Sequence, residues 1–329
     1  MSRVFGSLRR MALAPSLEDV SFTKLKFPVK PSATTRWLEA IPQAVVCGFE
    51  WTIEGPPAWE IERRLDLVDQ ERRGFAYEGA TMACTVLDAM GPGTGKRTRA
   101  LLEGPGGPHL FLAYIGIGFA MARLPRPLWR KVLPDLTDTR YHPTMSWLAV
   151  DGYGFDAAYF DQDTWVTGQR RPKPYPWQGR ADYFPRAFDQ GVGRMLWFRH
   201  AAAVDDVAAT VRGFAQERQP DLWSGVGLAS AFAGGCDGEG FEALRRAAGT
   251  HQAHLAQGAV FAAKARMHAG YCPEHTETAV RALTGMSATA ADALADSVAV
   301  DSGDELLPNY ERWRQAIREH VTQSSPVGH

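Results

Sequence analysis

FAYEGATMA (75–83) is the first of six related apolar segments, each of which carries glycine inside a helical pattern. The others are AYIGIGFAMA (113–122), VDGYGFDAA (150–158), DQGVGRMLWF (189–198), WSGVGLASAFA (223–233) and AQGAVFAAKA (256–265). Their central glycines are 31 to 39 residues apart, a period that is typical of stacked helix pairs. A glycine inside a helix costs about 1 kcal/mol relative to alanine. The repeated glycines therefore indicate either that neighbouring helices approach closely or that they leave room for a ligand, and we favour close packing.

The segments between these apolar helices are more polar and amphipathic, as in PRPLWRKVLPDLTD (125–138). This alternation predicts an all-α fold of repeated helical hairpins, arranged either as an α/α toroid or as an open α-solenoid. Closure into a toroid would place the glycine-bearing helices inside, around a central cavity. Strand signals are weak, and FEWTIEG (49–55) is the best short candidate for a strand.

Composition shifts along the chain predict its domain organisation. Residues 1–40 are basic and contain several prolines, which indicates an extended N-terminal arm. Residues 41–322 form a single predicted helical domain. It is interrupted at 161–187 by a lid-like excursion rich in proline, charge and aromatic residues, and such long loops are usually functional. We expect residues 323–329 to be a disordered tail.

The overall charge and the cysteine pattern exclude several classes of protein. The formal net charge is −1, whereas nucleic-acid binders normally carry a basic excess. The four cysteines are scattered and form no CxxC pair, and we find no secretory signal, so a reduced cytoplasmic protein is expected. The longest strongly apolar stretch, Leu110 to Ala122, holds 13 residues and is too short to span a membrane.

Short motifs that suggest a cofactor or a metal fail on their spacing. GPGTGKRT (91–98) is one residue too short for a phosphate-binding loop and has Arg97 at the hydroxyl position. The pair Gly116 and Gly118 lacks the third glycine of a dinucleotide fingerprint. Cys272 and His275 supply two potential zinc ligands without a recognisable second pair. The sequence therefore predicts no cofactor and no metal.

Charged residues inside the apolar helices are the candidates for chemistry. Buried charges are costly unless they are paired, and a carboxyl group in an apolar pocket often has a raised pKa and acts as an acid or base. We predict one shared polar network of catalytic residues, namely Glu78, Asp151, Tyr153, Asp189 and Arg194. Aromatic and amide side chains beside them are predicted to bind substrate, namely Tyr77, Phe155, Gln190, Trp197 and Trp223.

A structural interpretation of the same residues stands beside the catalytic one. Asp189 and Asp221 fit N-terminal helix caps, with Arg194 paired to one of them. The aromatic residues fit an ordinary core. The segment DQDT (161–164) resembles the acid motif of class II terpene cyclases, which gives Asp163 an alternative role in protonating an alkene.

The six glycine-bearing segments, taken with YERWRQAI (310–317), resemble the UnbL-like family of bacterial enediyne biosynthetic clusters over residues 5–320. The resemblance implies a role in natural-product biosynthesis, on the polyene made by an iterative polyketide synthase. It supplies no reaction and no catalytic residues. We expect acid–base isomerisation or cyclisation of a hydrophobic polyene in an apolar cavity. The alternatives are a non-catalytic polyene carrier, or an assembly partner of the polyketide synthase or of other pathway proteins.

Overall fold

The structure is a computed structural model that describes residues 10–11, 13–91, 95–136, 139–300 and 306–324. It confirms the predicted all-α fold, since no residue in these ranges belongs to a β-strand and they hold only an isolated bridge between Trp177 and Arg180. The α-helices are α1 (Ala33–Ile53), α2 (Ala58–Leu65), α3 (Gln70–Met90), α4 (Lys96–Leu102), α5 (Leu110–Arg123), α6 (Trp147–Phe160), α7 (Phe184–Arg199), α8 (Val204–Arg212), α9 (Gln219–Ala233), α10 (Gly238–Ala247), α11 (Gln252–His268), α12 (Glu274–Thr284), α13 (Ala288–Ser297) and α14 (Asn309–Ser324).

The chain divides into two compact units, where the sequence predicted a single helical domain. Unit 1 contains residues 1–27 and 39–156, and unit 2 contains residues 28–38 and 157–329. Two of the three boundaries fall inside α1 and α6, where composition gives no sign of them, and the third follows Phe27 within the predicted arm.

In unit 1, glycines allow α1, α3, α5 and α6 to pack with their backbones in contact. A Cβ atom at Gly48 of α1 would lie 1.9 Å from the carbonyl oxygen of Ala76 in α3, and one at Gly79 would lie 1.9 Å from that of Val45. In the same way, Gly116 of α5 lies against the backbone of α3, and Gly118 of α5 lies against the backbone of α6. No side chain fits at these positions, so glycine is required by close approach and not by backbone conformation.

Unit 2 repeats this arrangement with α7, α9 and α11. A Cβ atom at Gly193 or Gly225 would lie about 2 Å from a carbonyl oxygen across the contact between α7 and α9. Gly227 and Gly258 make the equivalent contacts between α9 and α11. The close-packing interpretation is therefore confirmed in both units at five of the six central glycines, namely Gly79, Gly118, Gly193, Gly227 and Gly258.

The glycine contacts also give the relative direction of neighbouring helices. Gly48 faces Ala76 while Val45 faces Gly79, so residue numbers rise along α1 as they fall along α3. The pairs across the contacts α5–α6, α7–α9 and α9–α11 follow the same rule. The helix pairs α1–α3, α5–α6, α7–α9 and α9–α11 are thus antiparallel neighbours. Closure of the series into a toroid or a solenoid stays a prediction.

Several predicted boundaries differ from the structure. FEWTIEG was wrong as a strand, because residues 49–53 complete α1. The predicted arm ends before residue 40, since α1 begins at Ala33, and residues 17–26 form turns with Phe22 buried. The predicted amphipathic helix at 125–138 is a 3₁₀ segment at Arg126–Lys131, residues 137–138 lying outside the described ranges.

The two ends of the chain fall partly outside the structure. Helix α14 continues to Ser324, so the first two residues of the predicted tail are helical. Residues 325–329 and 1–9 of the predicted tail and arm lie outside the described residues. No helix in the described part of the chain is both long and apolar enough to cross a membrane.

Candidate functional site

Two carboxylates predicted to be catalytic are buried in unit 1. Glu78 on α3 is 1% exposed and Asp151 on α6 is 0% exposed. Helix α5 packs against both helices, with Gly116 on the carbonyl oxygen of Glu78 and Gly118 on the backbone between Ala149 and Tyr153. Glu78 and Asp151 therefore lie on two different helices, α3 and α6, that both contact the same short segment of α5. Close packing at the glycines fixes this placement.

Tyrosine and histidine side chains lie in the same unit, and two of them were missed by the sequence analysis. The hydroxyl of Tyr114 on α5 lies 2.8 Å from Nδ1 of His142, so the two groups share a hydrogen bond. Burial lowers the pKa of His142, which keeps its ring neutral near pH 7. Tyr114 is 0% exposed. The position of Tyr114 two residues before Gly116 could have marked it as a buried residue of α5. Nothing in the sequence connected Tyr114 with His142.

The predicted aromatic residues of unit 1 pack against other rings. Tyr77 stacks on His109 with centroids 4.6 Å apart, and burial raises the pKa of Tyr77 to about 12. Tyr153 meets Trp129 edge-on at 5.0 Å, and burial raises its pKa as well. Both phenols are therefore protonated at neutral pH. Phe155 packs on Phe119 at 5.7 Å.

Two other buried carboxylates of unit 1 have structural partners. Asp88 accepts hydrogen bonds from the backbone N–H groups of Arg97 and Thr98, which satisfies the first turn of α4. Asp156 forms an ion pair with Arg123, and burial raises the pKa of Asp156 against the effect of that arginine. These contacts explain both carboxylates without catalysis.

Asp189 in unit 2 is held by an arginine and does not cap a helix. Arg218 donates from Nε and Nη2 to the two carboxylate oxygens of Asp189, at 2.9 and 2.6 Å. Arg218 also donates to the carbonyl oxygen of Gln169, at 2.7 Å. The N-cap interpretation was wrong, because Asp189 lies inside α7. The predicted excursion ends earlier than residue 187, because α7 begins at Phe184. The pair instead ties residues 161–183 to this helix, and we assign Asp189 a structural role.

Asp221 belongs to a second, larger set of buried and half-buried polar side chains, which we call the ionic cluster. Its members are Tyr183, Arg186, Asp221, Glu311, Arg314 and Arg318. Arg314 is 0% exposed and contacts Asp221 at 2.9 Å and Glu311 at 2.7 Å. The N-cap interpretation of Asp221 was also wrong, because Arg218 is the N-cap residue of α9. The carboxylate of Asp221 lies in the first turn and pairs with Arg186 and Arg314.

The ionic cluster joins α7, α9 and α14. Tyr183 donates its hydroxyl to Glu311 at 2.6 Å and accepts from Arg314 at 2.6 Å. Burial by itself would raise the pKa of Glu311. The positive charges of Arg314, Arg186 and Arg318 have a larger combined effect, so the pKa lies below its ordinary value. Three arginines against two carboxylates leave one positive charge. The cluster therefore connects the three helices structurally, through paired charges.

The remaining predicted residues of unit 2 lie in its core. Gln190 forms hydrogen bonds with the hydroxyl of Tyr310, and Trp223 is 1% exposed. Trp197 donates to the carbonyl oxygen of Gly234 at 2.8 Å, beyond the end of α9. Arg194 on α7 is also buried. Because these residues and Asp189 belong to unit 2, their predicted network with Glu78 and Asp151 stays a prediction.

The environment of Asp163 does not suit the alternative role of protonating an alkene. Asp163 is exposed, at the first position of a π-helical turn, whereas an acid that protonates an alkene needs shielding from water.

His275, one of the two potential zinc ligands, makes a backbone contact. Its Nε2 lies 3.1 Å from the carbonyl oxygen of Phe232, to which it donates. Among the residues that the structure describes, no three His, Cys, Asp or Glu side chains gather as a potential metal site.

Fold and site together define an all-α protein with antiparallel, glycine-mediated helix contacts and two buried carboxylates that flank one helix. The chain belongs to the family described as "Protein of unknown function (DUF1702)", whose model matches residues 4–321. No curated protein and no solved structure matches the chain.

Proposed function

We propose that this protein is a natural-product biosynthetic enzyme that isomerises or cyclises a hydrophobic polyene or polyketide intermediate by acid–base chemistry. The observation that carries the proposal is the burial of Glu78 and Asp151 in two apolar helices that meet one segment of α5. The resemblance to the UnbL-like family supports the substrate class.

The chemistry requires that one of the two carboxyl groups is protonated and the other is ionised. The acid form transfers its proton to a carbon of the polyene, so that a C–H bond forms while the double-bond electrons shift along the chain. The other carboxylate removes a proton from a second carbon, and the double bonds settle in new positions. No atoms are gained or lost from the substrate overall. Protonated Tyr153 would donate a hydrogen bond to an oxygen of the substrate.

Deletion of the gene in its host, with metabolite profiling and complementation, tests the proposal. We expect the deletion strain to accumulate an unprocessed polyene. Glu78→Gln and Asp151→Asn should each fail to restore the product, although both proteins accumulate and fold. These substitutions remove proton transfer and change the volume of the side chain very little.

Asp88→Asn is the matched control, because Asp88 is also a buried carboxylate on α3 and its hydrogen bonds cap α4. An asparagine oxygen still accepts those bonds, so this variant should restore the product. Full restoration by Glu78→Gln and Asp151→Asn would refute the catalytic assignment and favour a polyene carrier or an assembly partner of the synthase.

A further inference from the structure

The surface of unit 2 contains a cleft of about 610 Å³, lined by α10, α11, α12 and α14. This volume lies within the usual range for small-molecule sites, about 300 to 1,000 Å³. The floor is apolar, formed in part by Ala256, Leu283 and Val321, which are all buried. An apolar part of a ligand would therefore find apolar side chains to pack against here.

The walls of the cleft carry two arginines from different helices. Arg245 comes from α10 and Arg281 from α12, two helices that pack together. Each arginine contacts a glutamate of its own helix, Glu242 at 3.2 Å and Glu277 at 2.6 Å. Exposed pairs of this type contribute little free energy. The side chains of Arg245 and Arg281 are 42% and 63% exposed, so both can turn to a ligand at small cost.

The ionic cluster supplies net positive charge next to the cleft. The two arginines of the lining are balanced by their partners Glu242 and Glu277. The ionic cluster carries one positive charge more than its carboxylates neutralise, and its Arg318 lies one turn before the lining residues Val321 and Thr322 on α14. Thr250 and Gln252, at the start of α11, add hydroxyl and amide groups to the same wall.

We infer that this cleft binds a small molecule with one carboxylate on an apolar body, the carboxylate between Arg245 and Arg281 and the apolar part on the floor. A carboxylate suits the site because an arginine side chain presents paired N–H donors that match its two oxygens. The inference does not rest on the proposed acid–base function, since it uses residues of unit 2 only.

Binding of decanoate and of decanol to the full-length protein, measured by isothermal titration calorimetry, tests this inference. The two probes share an apolar chain and differ in the carboxylate. We expect decanoate to bind about tenfold more tightly than decanol. Arg245→Gln and Arg281→Gln should each weaken decanoate binding about fivefold to tenfold and leave decanol unchanged, because each removes one charged partner.

Two further variants separate the cleft from general binding of fatty acids. Ala253→Phe should fill the cleft and weaken both probes, and Ala282→Phe serves the same purpose if the first variant does not fold. Arg99→Gln is the matched control, because Arg99 makes a similar exposed pair with Glu103 on α4 of unit 1, and it should bind both probes normally. Three results would overturn the inference. They are equal affinity for decanoate and decanol, no binding of either probe, and unchanged decanoate binding in both arginine variants.

Discussion

Gly227→Ala is the substitution that tests the packing account most severely. The added Cβ atom would lie 1.9 Å from the carbonyl oxygen of Leu255 and 2.8 Å from its carbonyl carbon. Ordinary van der Waals contact begins near 3.4 Å, so α9 and α11 would have to separate by about 1.5 Å. Overpacking in a well-packed core costs about 1 to 3 kcal/mol, and a clash with backbone belongs at the upper end because backbone atoms cannot rotate away.

The helix propensity of alanine works in the opposite direction. Replacing glycine by alanine inside a helix normally stabilises it by about 1 kcal/mol. The net expectation is a loss of about 2 kcal/mol in the free energy of unfolding, measured by urea titration with far-ultraviolet circular dichroism. The control is Gly238→Ala at the start of α10, whose Cβ atom would lie 3.7 Å from the Thr278 methyl group; it should leave stability unchanged or slightly higher. Equal or greater stability of Gly227→Ala than of the wild type would refute the reasoning.

Three further predictions concern buried charges. Glu311→Gln should lower the free energy of unfolding by about 3 to 5 kcal/mol, because it leaves buried arginine charge uncompensated. The control Glu242→Gln, at an exposed pair, should change it by less than about 1 kcal/mol. Equal losses of stability for the two variants in urea titrations would contradict this prediction. Asp189→Asn should speed amide hydrogen exchange in residues 161–183, and unchanged exchange would show that other contacts hold this segment. Burial lowers the pKa of His200 to about 4, so between about pH 6.5 and pH 4 the unfolded chain binds a proton that the folded chain does not. Stability should therefore fall as the pH is lowered through this window, less steeply in His200→Gln, and an equal slope in the two proteins would count against the lowered pKa.

The sequence was sufficient to predict the fold class and the reason for its glycines. A glycine in an apolar helix is unfavourable by itself, so its recurrence pointed to contacts that no Cβ atom permits, as at Gly193 and Gly225. The division into two units was not predicted, because two of its three boundaries lie inside α1 and α6, where no local sequence signal marks a break. Local propensity misplaced the strand at 49–55, since aromatic and β-branched residues also serve as the buried face of α1.

The charged residues were harder to interpret than the helices. Burial of Glu78, Asp151 and Asp189 was predicted correctly from their apolar surroundings. The partner of Asp189 was not predicted, because Arg218 lies 29 residues away in the chain and no local pattern connects the two. The same difficulty hid the ionic cluster, in which Glu311 and Arg314 come from a helix whose sequence is largely polar. Long-range pairing of buried charges depends on packing that a single sequence does not display.

The measurement that tests the central claim most directly is deuterium incorporation during turnover in D₂O. The polyene that accumulates in the deletion strain would be isolated and incubated with the purified protein, and the product examined by mass spectrometry and NMR. We expect one solvent deuterium on carbon in the product of the wild-type protein and of Asp88→Asn, and no product with Glu78→Gln or Asp151→Asn. A product without deuterium, or normal turnover by these two variants, would contradict proton transfer by the buried carboxylates of unit 1.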